Sequence, residues 1–258
     1  MTAARRTVAD LRTLKGKQQL TMLRLTTLEE ALAAETAGID VASVPAELVT
    51  HPEYRAVAPS VFSMTGQTHL ECSTSDDYLR FAGQMLLAGA DALYCSGSLQ
   101  TIEYLAREHI PVVGHVGLVP ARATWTGGFK AVAKTAASAI ALFEECRAYQ
   151  DAGAFAVEIE VVPPEVAAEI SKRLDLLLWS MGAGAGCDAQ YLFAEDILGE
   201  TRGHVPRHAK VYRDFKSERA KAFAEFRDDV ASGAFPQAQH LVAMSPAERD
   251  AFFEGIGG

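Results

Sequence analysis

Glu160 closes a short apolar run, AVEIEVV (156–162), and the chain turns at Pro163 and Pro164 directly afterwards. A carboxylate at the carboxyl end of an apolar strand, partly withdrawn from water, suits general-base work; a solvated strand-end Glu is the plainer reading. His115 stands within another such run, VVGHVGL (112–118), toward its carboxyl end. An imidazole there is either part of a site or a hydrogen-bonded core residue. Arg24 stands near the end of the first run, LTMLRLT (20–26), where a guanidinium can grip a carboxylate bidentately or snorkel to the surface. Gly182 and Gly184, in MGAGAG, offer backbone N–H groups to an anion or simply make a tight turn. The cysteines at 72, 95, 146 and 187 show neither CxxC nor metal-ligand spacing.

Something must bring these strand ends together. Apolar, β-rich runs recur at 20–26, 41–44, 60–66, 91–97, 112–118, 156–162 and 176–183, with helical segments at 27–37, 75–87, 99–108, 135–152 and 164–173 between most of them. Such alternation predicts parallel strands with helical crossovers. Three helices end in Ala-Gly before an apolar residue (Gly38, Gly89, Gly153), the left-handed helix stop. The eighth strand is expected near 200–205. A length of 258 residues suits one α/β domain, a single (β/α)8 barrel over 1–258 with a C-terminal helical extension from about 217. A doubly wound open sheet is the alternative, weakened because no GxGxxG follows the first strand. A last helix at 245–253 is expected, with Ser245 and Glu248 forming a capping box.

Composition removes whole classes of function. Half the residues are apolar (49%), ample for a core, and 24 Lys+Arg against 33 Asp+Glu leave a net charge of −9. An acidic balance argues against nucleic acid as a partner. The small basic cluster Arg202, His204, Arg207, His208 and Lys210 reads as a solvated loop or subunit contact. No apolar run approaches the roughly 20 residues of a membrane span, and no basic-then-apolar leader opens the chain, so a cytoplasmic, reducing setting is expected.

Several short stretches in order resemble one family, ketopantoate hydroxymethyltransferase. They are GHVGLVP (114–120), TGGFK (126–130), IEVVPPEVA (159–167), MGAGAGCDAQ (181–190), EDILG (195–199), GHVPRHAK (203–210) and VASGAFP (230–236). The resemblance is looser before residue 113. It implies a TIM barrel of the phosphoenolpyruvate/pyruvate superfamily and a homo-oligomer, a decamer. It also implies an aldol-type transfer of a one-carbon unit from 5,10-methylenetetrahydrofolate, as co-substrate, to the small-molecule 2-oxo acid 2-oxoisovalerate. Glu160 then matches the general base and His115 a residue that binds the substrate carboxylate. Gly127 and Gly128 look like a loop over the site or an ordinary surface loop, with Trp125 and Phe129 packed beside them.

The departures are as specific as the matches. The resemblance implies Mg2+ held by an Asp after the second strand and another after the third. Those positions are Ala46 and Gly66. A Lys and a Glu expected after the fourth strand are Tyr94 and Ser96. Hard divalent cations take oxygen ligands, carboxylates foremost, so Mg2+ is doubtful and no metal ligand is assigned. Glu47 and Glu71 are nearby carboxylates without a family counterpart. Arg24 is the candidate replacement for the lost positive charge, and Ser43, Tyr94, Ser96 and Gly182 join it and His115 as candidate substrate contacts. Three functions stay open: the hydroxymethyl transfer, a C–C lyase or aldolase reaction on another 2-oxo acid, and a non-catalytic barrel subunit.

Overall fold

The computed structural model describes residues 4–67 and 71–257; residues 1 and 258, the ends of the expected domain, lie outside it. Eight strands close into an all-parallel barrel in sequential order: β1 (Leu20–Arg24), β2 (Val41–Ser43), β3 (Phe62–Gln67), β4 (Ala92–Cys95), β5 (Val112–Gly117), β6 (Ala156–Glu160), β7 (Leu177–Met181) and β8 (Ala189–Phe193). This is the expected (β/α)8 architecture, and the open-sheet alternative is excluded. The helices are α1 (Val8–Leu14), α2 (Leu28–Ala37), α3 (Ala46–Val49), α4 (Tyr54–Val57), α5 (Ser75–Ala88), α6 (Leu99–Arg107), α7 (Ala123–Thr126), α8 (Ala136–Asp151), α9 (Pro164–Arg173), α10 (Ala194–Ile197), α11 (Phe215–Ser232) and α12 (Pro246–Gly255).

Local chemistry sets these elements. Thr7, Thr27, Thr74 and Thr135 each cap a helix, the Thr side chain accepting from the N–H three residues on and the Thr N–H donating back to that residue's side chain. Ser245 accepts from the Glu248 N–H, but the return bond from the Ser245 N–H to the Glu248 side chain does not form, so the expected capping box is only half made. Gly38 and Gly89 end their helices in the left-handed conformation the Ala-Gly punctuation implies.

The two-residue period of a strand sorts side chains between two cores. Leu20, Met22, Val41, Phe62, Met64, Ala92, Val113, Ala156, Trp179 and Tyr191 fill the lumen. Their strand neighbours, among them Ala42, Leu93, Val157, Ile159 and Leu178, pack under the helices. Helix α1 plugs the amino-terminal end of the barrel with Leu11, which is fully buried in the lumen cluster. Lys15, just beyond α1, binds Asp188 at 2.8 Å and fixes the plug to the foot of β8.

The eighth strand lies at 189–193 and not near 200–205. The reason is the link before it. Parallel neighbours usually need a helical crossover, yet here residues 182–188 return without a helix. A Cβ on Gly184 would come within 2.5 Å of Pro164, and one on Gly186 within 2.4 Å of Ala168, so this loop lies directly on α9 where a helix would not fit. Past α10 the chain crosses the barrel mouth, and α11 and α12 project with no buried residue, exposing Phe223, Phe226, Phe252, Phe253 and Ile256.

Replacing the plug residue tests this account of the floor. Leu11→Ala is expected to cost about 2–5 kcal/mol in urea unfolding, the range for emptying a fully buried Leu site; a loss under ~1 kcal/mol would show that α1 does not close the barrel.

Candidate active site

The carboxyl ends of the strands open into a cavity of about 600 Å³. Strand parity predicts which side chains reach it. Residue 24 follows 20 and 22 on the inner face of β1; 43 follows 41 on β2, 94 follows 92 on β4, 115 follows 113 on β5, and 158 and 160 follow 156 on β6. All of these line the cavity, and so does Ser96 just past β4. Six of the seven candidates are therefore brought together: Arg24, Ser43, Tyr94, Ser96, His115 and Glu160. Gly182 lies behind the wall, where a Cβ would sit 2.9 Å from the His208 ring. Gly127 and Gly128 are not part of the wall either. Trp125 and Phe129 beside them stand largely exposed, 91% and 75%, instead of packing on the loop.

The register of β5 on β6 sets His115 opposite Glu158 and Gly117 opposite Glu160. The His115 ring thereby meets both carboxyl groups. Its Nε2 is 3.1 Å from Glu160 Oε2, and its Nδ1 is 3.8 Å from Glu158 Oε2. The Tyr94 hydroxyl lies 2.8 Å from the same Nδ1, with the two rings edge to face. Burial first, and the Glu158 charge next, push the Tyr94 pKa up, so its phenol keeps its proton. An ionised carboxylate only accepts, so wherever Glu160 is a carboxylate the Nε2–H is the donor of that bond. Just after Glu160 the backbone is strained, because Val161, a β-branched residue, has φ 49°. Its N–H is tied to the Met181 carbonyl at 2.9 Å, which holds the strand exit behind the carboxylate in place.

Arg24 crosses the mouth from β1. Its Nη1 is 3.5 Å from Ser43 Oγ and its guanidinium carbon 5.9 Å from the centre of the Phe193 ring. Among the described residues no carboxylate lies within ion-pair distance of it. Tyr191 stands beside Arg24 and Ser43, held as a phenol chiefly by burial. Glu158, Tyr191, Asp196 and His208 are wall residues that the sequence reading missed. Two-residue parity with Glu160 would have found Glu158; Tyr191 and Asp196 were hidden by the misplaced eighth strand, and His208 by its basic surroundings.

The donor set does not fit the Mg2+ that the resemblance implies. Among the described residues no three His, Cys, Asp or Glu side chains cluster as a cation cage, and the two positions where the resemblance has Asp ligands are Ala46 and Gly66, although Glu47 and Glu71 border the cavity. A Cβ on Gly66 would lie 2.3 Å from the Tyr94 carbonyl oxygen, so a carboxylate side chain has no room there.

Comparisons with known proteins show the family and the fold. Residues 56–238 match the family model described as ketopantoate hydroxymethyltransferase. The 3-methyl-2-oxobutanoate hydroxymethyltransferase of Nitratidesulfovibrio vulgaris is 33% identical over 97% of this chain and 89% of its own length. That of Cenarchaeum symbiosum is 37% identical over 67% and 68%. Among solved structures, a phosphoenolpyruvate phosphomutase from Streptomyces platensis covers 97% of this chain and 98% of its own with TM-score 0.56 at 14% identity, a likeness of fold alone.

Gly66→Asp puts a carboxylate back where the resemblance has one. The variant is expected to melt several degrees lower than the parent, given about 1–3 kcal/mol for overpacking and ~2–4 °C per kcal/mol, with no gain on adding Mg2+. A Mg2+-dependent rise in its melting temperature would contradict the donor-set argument.

Proposed function

The chain belongs to the ketopantoate hydroxymethyltransferase family, and from that premise we propose that it transfers a hydroxymethyl unit to a 2-oxo acid, 2-oxoisovalerate or a close analogue, through an enolate and without a metal ion. The observation that carries this is the grouping of Glu160, His115 and Arg24 around one cavity, with Glu160 held by His115 Nε2 at 3.1 Å. Arg24 binds the substrate carboxylate and supplies the positive charge that lowers the cost of an enolate. Glu160, as the carboxylate, takes the proton from C3. His115 holds that carboxylate in one orientation through Nε2–H, and Tyr94 holds the imidazole. Hydrolysis of 5,10-methylenetetrahydrofolate, the co-substrate the family uses, breaks both N–CH2 bonds and gives tetrahydrofolate and formaldehyde; the carbanionic C3 attacks that carbon, the C=O π pair moves onto its oxygen, and the oxygen takes a proton to become the hydroxymethyl group.

A second reading keeps the enolate and changes the partner. Ala46, Gly66, Tyr94 and Ser96 stand where the resemblance has ionisable groups, and that altered wall favours C–C cleavage or aldol addition with a different 2-oxo acid. The exposed aromatic faces of α11 and α12 support a homo-oligomer, for which the family's decamer is the expectation. The four cysteines, all buried and unpaired, support the reducing setting of the cytoplasm. Among the described residues no helix is long and apolar enough to cross a membrane.

Proton exchange at C3 of 2-oxoisovalerate, followed by NMR in deuterium oxide with chelator present, isolates the first step. The parent protein is expected to exchange, and Glu160→Gln to slow exchange by about 10²–10⁴-fold, the usual worth of a positioned base. No exchange of any 2-oxo acid, with or without Mg2+, would leave the barrel as a non-catalytic subunit.

A further inference from the structure

Glu158 is a buried polar wall residue for which the reaction above has no use. It lies on the inner face of β6 one step below Glu160, about 6.6 Å deeper along the strand. It lines the same cavity and is 5% exposed. Among the described residues its carboxyl makes no hydrogen bond. His115 Nδ1 lies 3.8 Å from it, and that nitrogen is engaged with the Tyr94 hydroxyl at 2.8 Å. A carboxylate so enclosed, without donors, is costly; a carboxylic acid whose O–H is turned to the cavity is not.

We propose that Glu158 works as the neutral acid of the site, donating a hydrogen bond to the enolate oxygen at the place where a metal ion's charge would otherwise act. The proposal rests on the enolate reading above and deepens it. As Glu160 takes the C3 proton, the C–H electron pair becomes the C2–C3 double bond and the carbonyl π pair moves onto O2. The Glu158 O–H holds that oxygen without giving up its proton. When C3 attacks the electrophilic carbon, the pair returns and the carbonyl reforms. In the exchange half-reaction, Glu160 returns a solvent-derived deuteron to C3 in place of the attack.

The groups facing Glu158 come from every side of the mouth: His115 on β5, Glu160 on its own strand, Arg24 on β1, Tyr94 on β4 and Tyr191 on β8. Burial raises the Glu158 pKa most and the Glu160 charge adds to it; His115 and Arg24 pull the other way, and the balance is about 7. Two carboxyl groups on one imidazole thus divide their work between base and acid. The sign follows: the acid form is present below about pH 7 and is lost as pH rises through it.

The test is the pH profile of C3 exchange, in chelator, for the parent, Glu158→Gln and Glu158→Leu. The parent rate is expected to fall tenfold per pH unit above about 7. Glu158→Gln keeps a donor and cannot ionise, so it starts about tenfold lower and stays level through pH 9. Glu158→Leu loses about 10²–10³-fold at pH 6, the worth of one oxyanion donor. A parent-like alkaline fall in Glu158→Gln, or parent-like exchange by Glu158→Leu, would overturn the proposal. Infrared difference spectra of the substrate-free protein read the acid directly: a carboxylic C=O band that titrates near pH 7, present in the parent and in Glu160→Gln and absent from Glu158→Gln. Its absence from the parent at pH 6 overturns the proposal even where exchange occurs. The band without any exchange leaves the acid state standing and overturns the enolate reading, and with it the acid's catalytic role.

Discussion

The hydrogen bond between His115 Nε2 and Glu160 exists because β5 and β6 pair in one register. His115 opposes Glu158, so the imidazole reaches two residues up to Glu160 and directly across to Glu158. A slip of one residue would turn every one of these side chains from the lumen to the helix layer. The same register brings Gly117 against Glu160, where any Cβ would strike the Glu160 carbonyl oxygen at 2.3 Å. Strand packing and site geometry are therefore one constraint. The strained Val161, anchored to β7, keeps the exit of β6 from relaxing it.

Charge then has to be settled inside a low-dielectric mouth. Arg24 brings one permanent positive charge from the far wall, with no carboxylate in ion-pair reach among the described residues. Glu160 brings one negative charge, shared with His115. A substrate anion adds a second negative charge, and an ionised Glu158 would add a third. Keeping Glu158 neutral leaves Arg24 free for the substrate. On the proposed reading this arrangement supports the enolate with side chains alone: a guanidinium, a carboxylic acid and an imidazole beside a phenol. It also goes with the lack, among the described residues, of a converging donor set around Ala46 and Gly66.

Much of the frame was legible in the residues. The seven apolar runs and their Ala-Gly stops announced parallel strands, and Glu160 and His115 were conspicuous because each stands toward the carboxyl end of a strand. The eighth strand was not legible, because a Gly-rich loop lying on α9 replaces the crossover helix that the alternation leads one to expect. That misplacement hid Tyr191. Glu158 was hidden differently: it stands inside an apolar strand, and only period-two geometry puts it on the same face as Glu160. His208 looked like part of a solvated basic loop, and only the return of the chain over the mouth brings it to the cavity wall.

The claim that everything else leans on is that Arg24, and not a divalent cation, receives the 2-oxo acid. Calorimetric titration of 2-oxoisovalerate into chelator-stripped protein measures it most directly. Binding is expected to persist without metal, to weaken at least tenfold in Arg24→Met, a loss of about 1.4 kcal/mol or more, and to recover in part in Arg24→Lys. Binding that appears only on adding Mg2+, and that Arg24→Met leaves unchanged, would contradict the account.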